Sequence, residues 1–187
     1  MTRTPARLGR SALVVAAIGL AFGGTPSTAS ASGLLGKSTA KTARSSIVNE
    51  RQAAAISVQV QQSIDEQRYV DAGTYLDQAA LNGVKSAELT TLTGELYLAR
   101  NRFADSLVMF HQADVDGGQN PRTLQGEGIA LSMLGRSDDA LAALKASTRL
   151  DPSLWRAWNG LGREYDLRRD WANARVAYDT ALAAPHA

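Results

Sequence analysis

Between residues 155 and 185, apolar and small side chains recur every three or four positions in two short runs. The first run contains Trp158, Leu161, Gly162 and Tyr165, and the second contains Ala174, Tyr178 and Ala181. This period predicts two amphipathic helices separated by a polar turn. Gly162 and Ala174 are small enough to let the two backbones approach, and the bulky residues fill the remaining space. Such a helix pair cannot bury its apolar faces alone, so neighbouring copies are expected.

These residues occur in the order and spacing of the pattern W-x2-L-G-x2-Y…A-x3-F, so the stretch resembles a tetratricopeptide repeat. The resemblance implies further copies at a period of 34 residues. At intervals of 34 residues upstream, the residues equivalent to Ala174 are Ala140, Ser106 and Ala72. Those equivalent to Gly162 are Gly128, Gly94 and Val60.

The period predicts four repeats, near residues 53–86, 87–120, 121–154 and 155–187. We therefore expect an all-α fold, a right-handed α-solenoid of about four antiparallel helix pairs, in a repeat domain over residues 48–187. The first copy matches the pattern least, as a terminal repeat that caps an array commonly does.

The N-terminal segment has the pattern of a secretory signal peptide. The basic start MTRTPARLGR is followed by the apolar run SALVVAAIGLAFGG and by Ala29-Ser30-Ala31, an A-x-A site. We predict a signal peptide over residues 1–31, cleaved after Ala31, and a periplasmic location for the mature chain. The alternative is an uncleaved membrane anchor, which is less favoured because a spanning helix needs about 20 apolar residues. The sequence contains no cysteine, which excludes disulfides and a lipid anchor on an N-terminal cysteine.

Residues 32–47 are rich in Ser, Gly, Thr and Ala and carry basic but no acidic side chains, which predicts a flexible basic tether. Its cations are suited to contact with an anionic membrane surface. Beyond residue 47, acidic residues outnumber basic ones, so nucleic-acid binding has no electrostatic support.

The resemblance also implies where a partner binds, because the first helices of such repeats line a concave groove that holds peptides. The groove positions here are Glu88, Thr91, Glu95, Arg122, Gln125, Arg156, Asn159 and Arg163. We expect Arg122, Arg156 and Arg163 to converge on a carboxylate while Asn159 hydrogen-bonds the bound backbone. The alternative is a solvated helix face with pairs such as Glu127 with Arg122.

Catalysis is not expected, because the chain has no cysteine, two isolated histidines and no Gly-rich strand-to-helix turn. No cofactor, metal or small-molecule substrate is expected either. The sequence instead predicts an exported scaffold that binds protein partners in the cell envelope, with self-association through the last helix as a further expectation.

Residues 50–185 are similar to the tetratricopeptide proteins that accompany tight-adherence (Flp) pilus systems in Gram-negative bacteria. The run GEGIALSMLGRSDDALAALKASTRLDP followed by LWRAWNGLGREYDLRRDW carries this resemblance. It implies a role in assembling a surface machine. Those relatives are often lipoproteins, and the absence of cysteine here departs from that pattern. A general periplasmic scaffold for envelope enzymes or outer-membrane complexes is the alternative.

Overall fold

The computed structural model describes residues 31–185, with side chains described from residue 46 onward. The predicted signal peptide therefore lies outside the described residues, except for Ala31. The chain divides into two compact units after Thr39, and only the first turns of one helix are described in the first unit. The second unit begins at Ala40 and contains the helical repeats.

The described part of the chain is composed of helices and contains no strand. The helices are α1 (Ala31–Asp65), α2 (Tyr69–Leu81), α3 (Ala87–Ala99), α4 (Phe103–Gly117), α5 (Pro121–Met133), α6 (Ser137–Leu150), α7 (Trp155–Leu167) and α8 (Trp171–Ala183). The helices α3, α5 and α7 pack against α4, α6 and α8, respectively. The resulting pairs are stacked, because α5 also contacts α3 and α4, and α7 also contacts α5 and α6. The predicted all-α helical-repeat solenoid is confirmed.

The turns within the helix pairs repeat with the same period as the helices. The backbone enters the left-handed region at Gln67, Asn101, Gly135 and Arg169, with φ values of 58°, 58°, 75° and 59°. These positions are one 34-residue period apart, and each lies between a first helix and its partner. Only Gly135 adopts this conformation without a steric cost. The other three turns are therefore held by the packing of the helices on either side.

Side-chain caps begin the first helices of the second and third repeats, whereas α7 has no side-chain cap. The Ser86 hydroxyl accepts a hydrogen bond from the Leu89 N–H at 3.1 Å and begins α3. The Asn120 side chain accepts from the Arg122 N–H at 2.8 Å and begins α5, with proline at the first helical position. Both caps satisfy N–H groups that have no partner inside the helix.

Large residues of the second helices insert between glycines of two successive repeats. Phe110 has no exposed surface and lies between Gly94 of its own repeat and Gly126 of the next. Leu144 lies in the same way between Gly128 and Gly160. The sequence predicted the glycine of the same repeat in each case. The second glycine joins one repeat to the next, and its contact follows from the stacking of the repeats.

The structure differs from the sequence-based expectation for residues 32–47, which were predicted to be a flexible tether. These residues belong to α1, which is 35 residues long and begins at Ala31, whereas α3, α5 and α7 have 13 residues each. The segment contains no proline, and its alanine, leucine, lysine and arginine residues favour a helix once a helix follows them. Among the described residues, no helix has both the length and the apolar character to cross a membrane.

Candidate partner-binding face

The odd-numbered helices α1, α3, α5 and α7 form one face of the repeat array, called here the first-helix face. A groove of about 520 Å³ runs along it and is lined by residues of all four repeats. These include Asp65, Tyr69, Glu95, Leu98, Gln125, Ile129 and Arg156. Three of the residues predicted from the sequence therefore line one groove: Glu95, Gln125 and Arg156.

Arg122 is held by carboxylates of the preceding repeat. Its Nε donates to Glu95 Oε1 at 2.5 Å and its Nη2 to Glu95 Oε2 at 2.6 Å. Its Nη1 lies 3.4 Å from Glu88 Oε1, and Nη2 also donates to the Gln61 side chain on α1. Burial alone would lower the pKa of Arg122, but the hydrogen bond and charge of Glu95, assisted by Glu88, outweigh it and raise the pKa.

Arg122 therefore differs from Arg156 and Arg163, with which it was predicted to bind a carboxylate of the partner. The guanidinium already has a bidentate carboxylate partner, the strongest geometry available to arginine. The alternative pair of Arg122 with Glu127 does not form either, because Glu127 lies beside His111, with 3.8 Å between Oε1 and Nε2. Arg122 is thus part of the internal structure of the first-helix face.

Two further predicted residues, Thr91 and Gln125, are buried between the first helices. Thr91 is 2% exposed, and its hydroxyl donates to the Ala87 carbonyl at 3.0 Å and lies 3.2 Å from the Thr123 hydroxyl. Gln125 is 7% exposed. At these positions the side chains support the contact between successive repeats.

Arg156, Asn159 and Arg163 are all exposed on α7. Their spacing of three and four residues places them along one side of the helix. Arg163 donates to the Met133 sulfur at 3.0 Å, and the Arg156 guanidinium lies 5.4 Å from the Trp155 ring centre. In the part of the chain that the structure describes, neither arginine forms an ion pair with a carboxylate. Their positive charge therefore faces the solvent along α7.

The first-helix face consequently changes sign along the array. Glu88 and Glu95 lie in the second repeat and share the single charge of Arg122, and Asp65 extends the negative charge to α1. In the last repeat, Arg156 and Arg163 contribute two positive charges to this face, and Asp166 contributes one negative charge. A bound segment with opposite charges at its two ends would be held in one orientation.

A buried carboxylate on α7 was not predicted from the sequence. Glu164 has no exposed surface, and both of its oxygens accept hydrogen bonds, from Ser132 of α5 and from Ser137 of α6. The repeat register did contain a signal, because the equivalent positions of the earlier repeats are Ala130 and Leu96, which are also buried. An acidic residue in that register requires donors from neighbouring helices.

Burial raises the pKa of the Glu127 carboxyl group, and the neighbouring His111 acts to lower it. Burial also raises the pKa of Asp114 on α4. Within residues 46–185 no group of three or more His, Cys, Asp or Glu side chains is placed to hold a metal ion.

The fold is that of tetratricopeptide-repeat proteins, and solved structures share it. The crystal structure of MamA has a TM-score of 0.55 and 17% identity, over 68% of this chain and 75% of that one. A fragment of MamA (41-end) from Desulfovibrio magneticus RS-1 has a TM-score of 0.56 and 14% identity, over 68% and 72%. YrrB, described as a TPR protein with an unusual peptide-binding site, has a TM-score of 0.53 and 19% identity, over 66% and 64%.

No family model matches the chain, and no curated protein matches its sequence. Structural likeness at these identities shows the fold alone.

Proposed function

We propose that this protein is an exported scaffold that holds an extended, carboxylate-bearing segment of a protein partner on its first-helix face. The observation that carries the proposal is the pair of exposed arginines on α7, Arg156 and Arg163, which have no carboxylate partner among the described residues. Arginine binds carboxylates through two parallel hydrogen bonds. Arg156 lines the groove and Arg163 lies farther along the same helix, and two exposed arginines without carboxylate partners favour an acidic ligand.

The spacing of the arginines defines the ligand further. Seven residues of helix separate Arg156 from Arg163, which corresponds to about 10 Å along the axis. An extended chain covers that distance in about three residues. Side chains on the same side of an extended chain are two or four residues apart, so the partner segment would present two carboxylates at one of these spacings. The Asn159 side chain between the arginines would hydrogen-bond its backbone.

The predicted signal peptide over residues 1–31 supports a periplasmic location. With the similarity to tetratricopeptide proteins of tight-adherence (Flp) pilus systems, it supports a role in assembling such a surface machine. The segment held on α7 would then belong to a pilus or secretion subunit, and the negative second repeat would fix its direction.

The proposal is tested by photo-crosslinking in the native cell from Asn159, with Asp138 at the start of α6 as the control position. Asp138 is 94% exposed, so a crosslinker there is expected to be tolerated. A pilin-like or secretion-channel protein trapped from Asn159 alone would support both the groove and the assembly role. Capture of envelope enzymes instead would favour the general scaffold, and equal capture from both positions would refute binding on α7.

A second experiment separates charge recognition from folding. The variant Arg156→Glu/Arg163→Glu is expected to lose partner capture while its circular dichroism remains unchanged, because both side chains are exposed. The matched control is Arg169→Glu/Arg175→Glu, which changes the net charge equally but lies in the α7–α8 turn and on α8. Equal capture by both variants would contradict the proposal. Arg122 is left intact because its removal would disturb the fold.

A further inference from the structure

A second groove lies on the opposite side of the array, between the second helices of the last two repeats, and is called here the outer groove. It has a volume of about 570 Å³ and is formed by α6, α7 and α8. Its floor consists of the apolar residues Trp158, Leu161, Tyr165, Val176 and Ala177. It shares no residue with the groove on the first-helix face.

The floor offers apolar surface that is accessible from outside. Val176 is 62% exposed, and Trp158 and Tyr165 are half-buried. The indole N–H of Trp158 donates to the Pro152 carbonyl at 2.9 Å, so the only polar atom of this side chain is already satisfied. Trp158 therefore presents apolar ring surface to the groove, as anchor positions in protein interfaces commonly do.

One wall of the outer groove is positively charged. Lys145 and Arg149 are one helical turn apart on α6, and none of the described residues that line the groove is acidic. The Lys145 ammonium lies 5.6 Å from the centre of the Tyr165 ring. Neither cation forms an ion pair within the described residues. Like charges at this spacing repel each other on a helix, and a bound carboxylate would remove that repulsion.

Equivalent grooves in the earlier repeats differ in charge. The groove formed by α4, α5 and α6 carries both signs, and its Arg136 is paired with Asp139 at 2.7 Å. The groove formed by α2, α3 and α4 contains Lys85 together with Asp116. Among these three grooves, only the outer groove combines an aromatic floor with cations and no carboxylate.

We infer that the outer groove binds an acidic amphipathic helix of a partner protein, separately from the ligand of the first-helix face. Its apolar side chains would pack on Trp158, Tyr165 and Val176, and its Asp or Glu side chains would pair with Lys145 and Arg149. The wall from Ala142 to Arg149 spans about 10 Å, which matches two turns of such a helix. Two ligands bound on opposite sides would let one molecule join two components of an assembly.

The inference is tested with the full chain and a fluorescent helical peptide that has leucine at every third or fourth position, flanked by glutamates. A second peptide has lysine in place of every glutamate. Fluorescence anisotropy should show that the glutamate peptide binds at least about tenfold more tightly, as expected for two ion pairs beside an apolar contact. The variant Lys145→Glu/Arg149→Glu should reverse this preference, and Val176→Asp should abolish binding of the glutamate peptide.

The control is Arg156→Glu/Arg163→Glu, which alters the first-helix face alone and should leave the affinity of the glutamate peptide unchanged. Circular dichroism must be the same for all variants, and Lys145→Gln/Arg149→Gln provides a milder pair that should remove the preference without reversing it. Equal affinity for the two peptides, absence of binding, or loss of binding in the control variant would each refute the inference. Self-association that is abolished by Lys145→Glu/Arg149→Glu would identify a second copy as the occupant and would overturn the partner helix.

Discussion

The contact between Phe110 and Gly126 gives the most direct test of how successive repeats are joined. A Cβ atom added at Gly126 would overlap the Phe110 Cζ and would lie 2.7 and 2.8 Å from Cε1 and Cε2. The ring has no room to retreat, because a Cβ at Gly94 on its other side would also lie only 2.6 Å from Cε1. We therefore expect Gly126→Ala to separate α5 from α4 or to force the ring out of its preferred rotamer.

The size of the effect follows from two opposing terms. Alanine is favoured over glycine in a helix interior by about 1 kcal/mol. Overpacking of a tight core costs about 1–3 kcal/mol, and a ring enclosed on both sides places Gly126→Ala at the upper end of that range. The net loss of unfolding free energy is then about 2 kcal/mol, which for a chain of this size lowers Tm by roughly 4–8 °C.

Urea denaturation followed by circular dichroism measures this loss, and two further variants isolate its cause. Gly73→Ala is the matched control, because the nearest atom to its Cβ is Arg100 Nη2 at 3.2 Å, at the end of a long side chain that donates to the Tyr69 carbonyl and can shift by a few tenths of an ångström. It should be neutral or stabilising by up to about 1 kcal/mol. In the Phe110→Leu background, Gly126→Ala should likewise be neutral or stabilising, since the ring atoms that clash are absent. An equal cost in both backgrounds would refute the steric explanation.

Three other changes test the internal polar contacts. Glu164→Gln should lower the unfolding free energy by about 1–3 kcal/mol, because its oxygen can accept from one serine hydroxyl while its NH2 group cannot accept from the other, and an unchanged Tm would contradict this. Arg122→Met should cost about 3 kcal/mol by leaving the Glu95 carboxylate unpaired, and the Arg122→Met/Glu95→Gln double variant should recover part of it. Burial raises the pKa of Glu127 above 4.5, so between that value and the folded pKa the protein loses stability as pH rises. Glu127→Gln should therefore raise Tm at pH 8, and its advantage should shrink on acidification; a gain independent of pH would refute this.

The repeat architecture was predictable because the same pattern of small and large residues recurs four times along the chain. Small and large residues alternate at fixed positions, and the predicted starts at Ala87, Pro121 and Trp155 coincide with the first residues of α3, α5 and α7. The start of α1 was not predicted from the period. A segment rich in Ser, Gly and Ala reads as a tether by composition, yet nothing in it breaks a helix that continues from the first repeat.

The candidate site was predictable only in part. Helical spacing alone places Arg156, Asn159 and Arg163 on one side of α7. The pairing of Arg122 with Glu95 and Glu88 depends on which side chains of neighbouring helices lie opposite each other. In the sequence, only the 34-residue register indicates which residues these are. Glu88 precedes Arg122 by one full period, so opposite charges occupy the same position of adjacent first helices. A comparison of charges in register would have assigned Arg122 to the interior of the face.

The reach of Arg122 has a consequence for how the array comes apart. In an ideal solenoid each unit interacts only with its nearest neighbours, and unravelling can begin at either end. Arg122 lies on α5 but bonds Gln61 on α1 as well as Glu95 on α3, so it links the first three repeats into one cooperative block. The fourth repeat is outside that block. Amide hydrogen exchange should therefore be faster in α7 and α8 than in α3 and α5, and a ligand bound on α7 would slow fraying at that end.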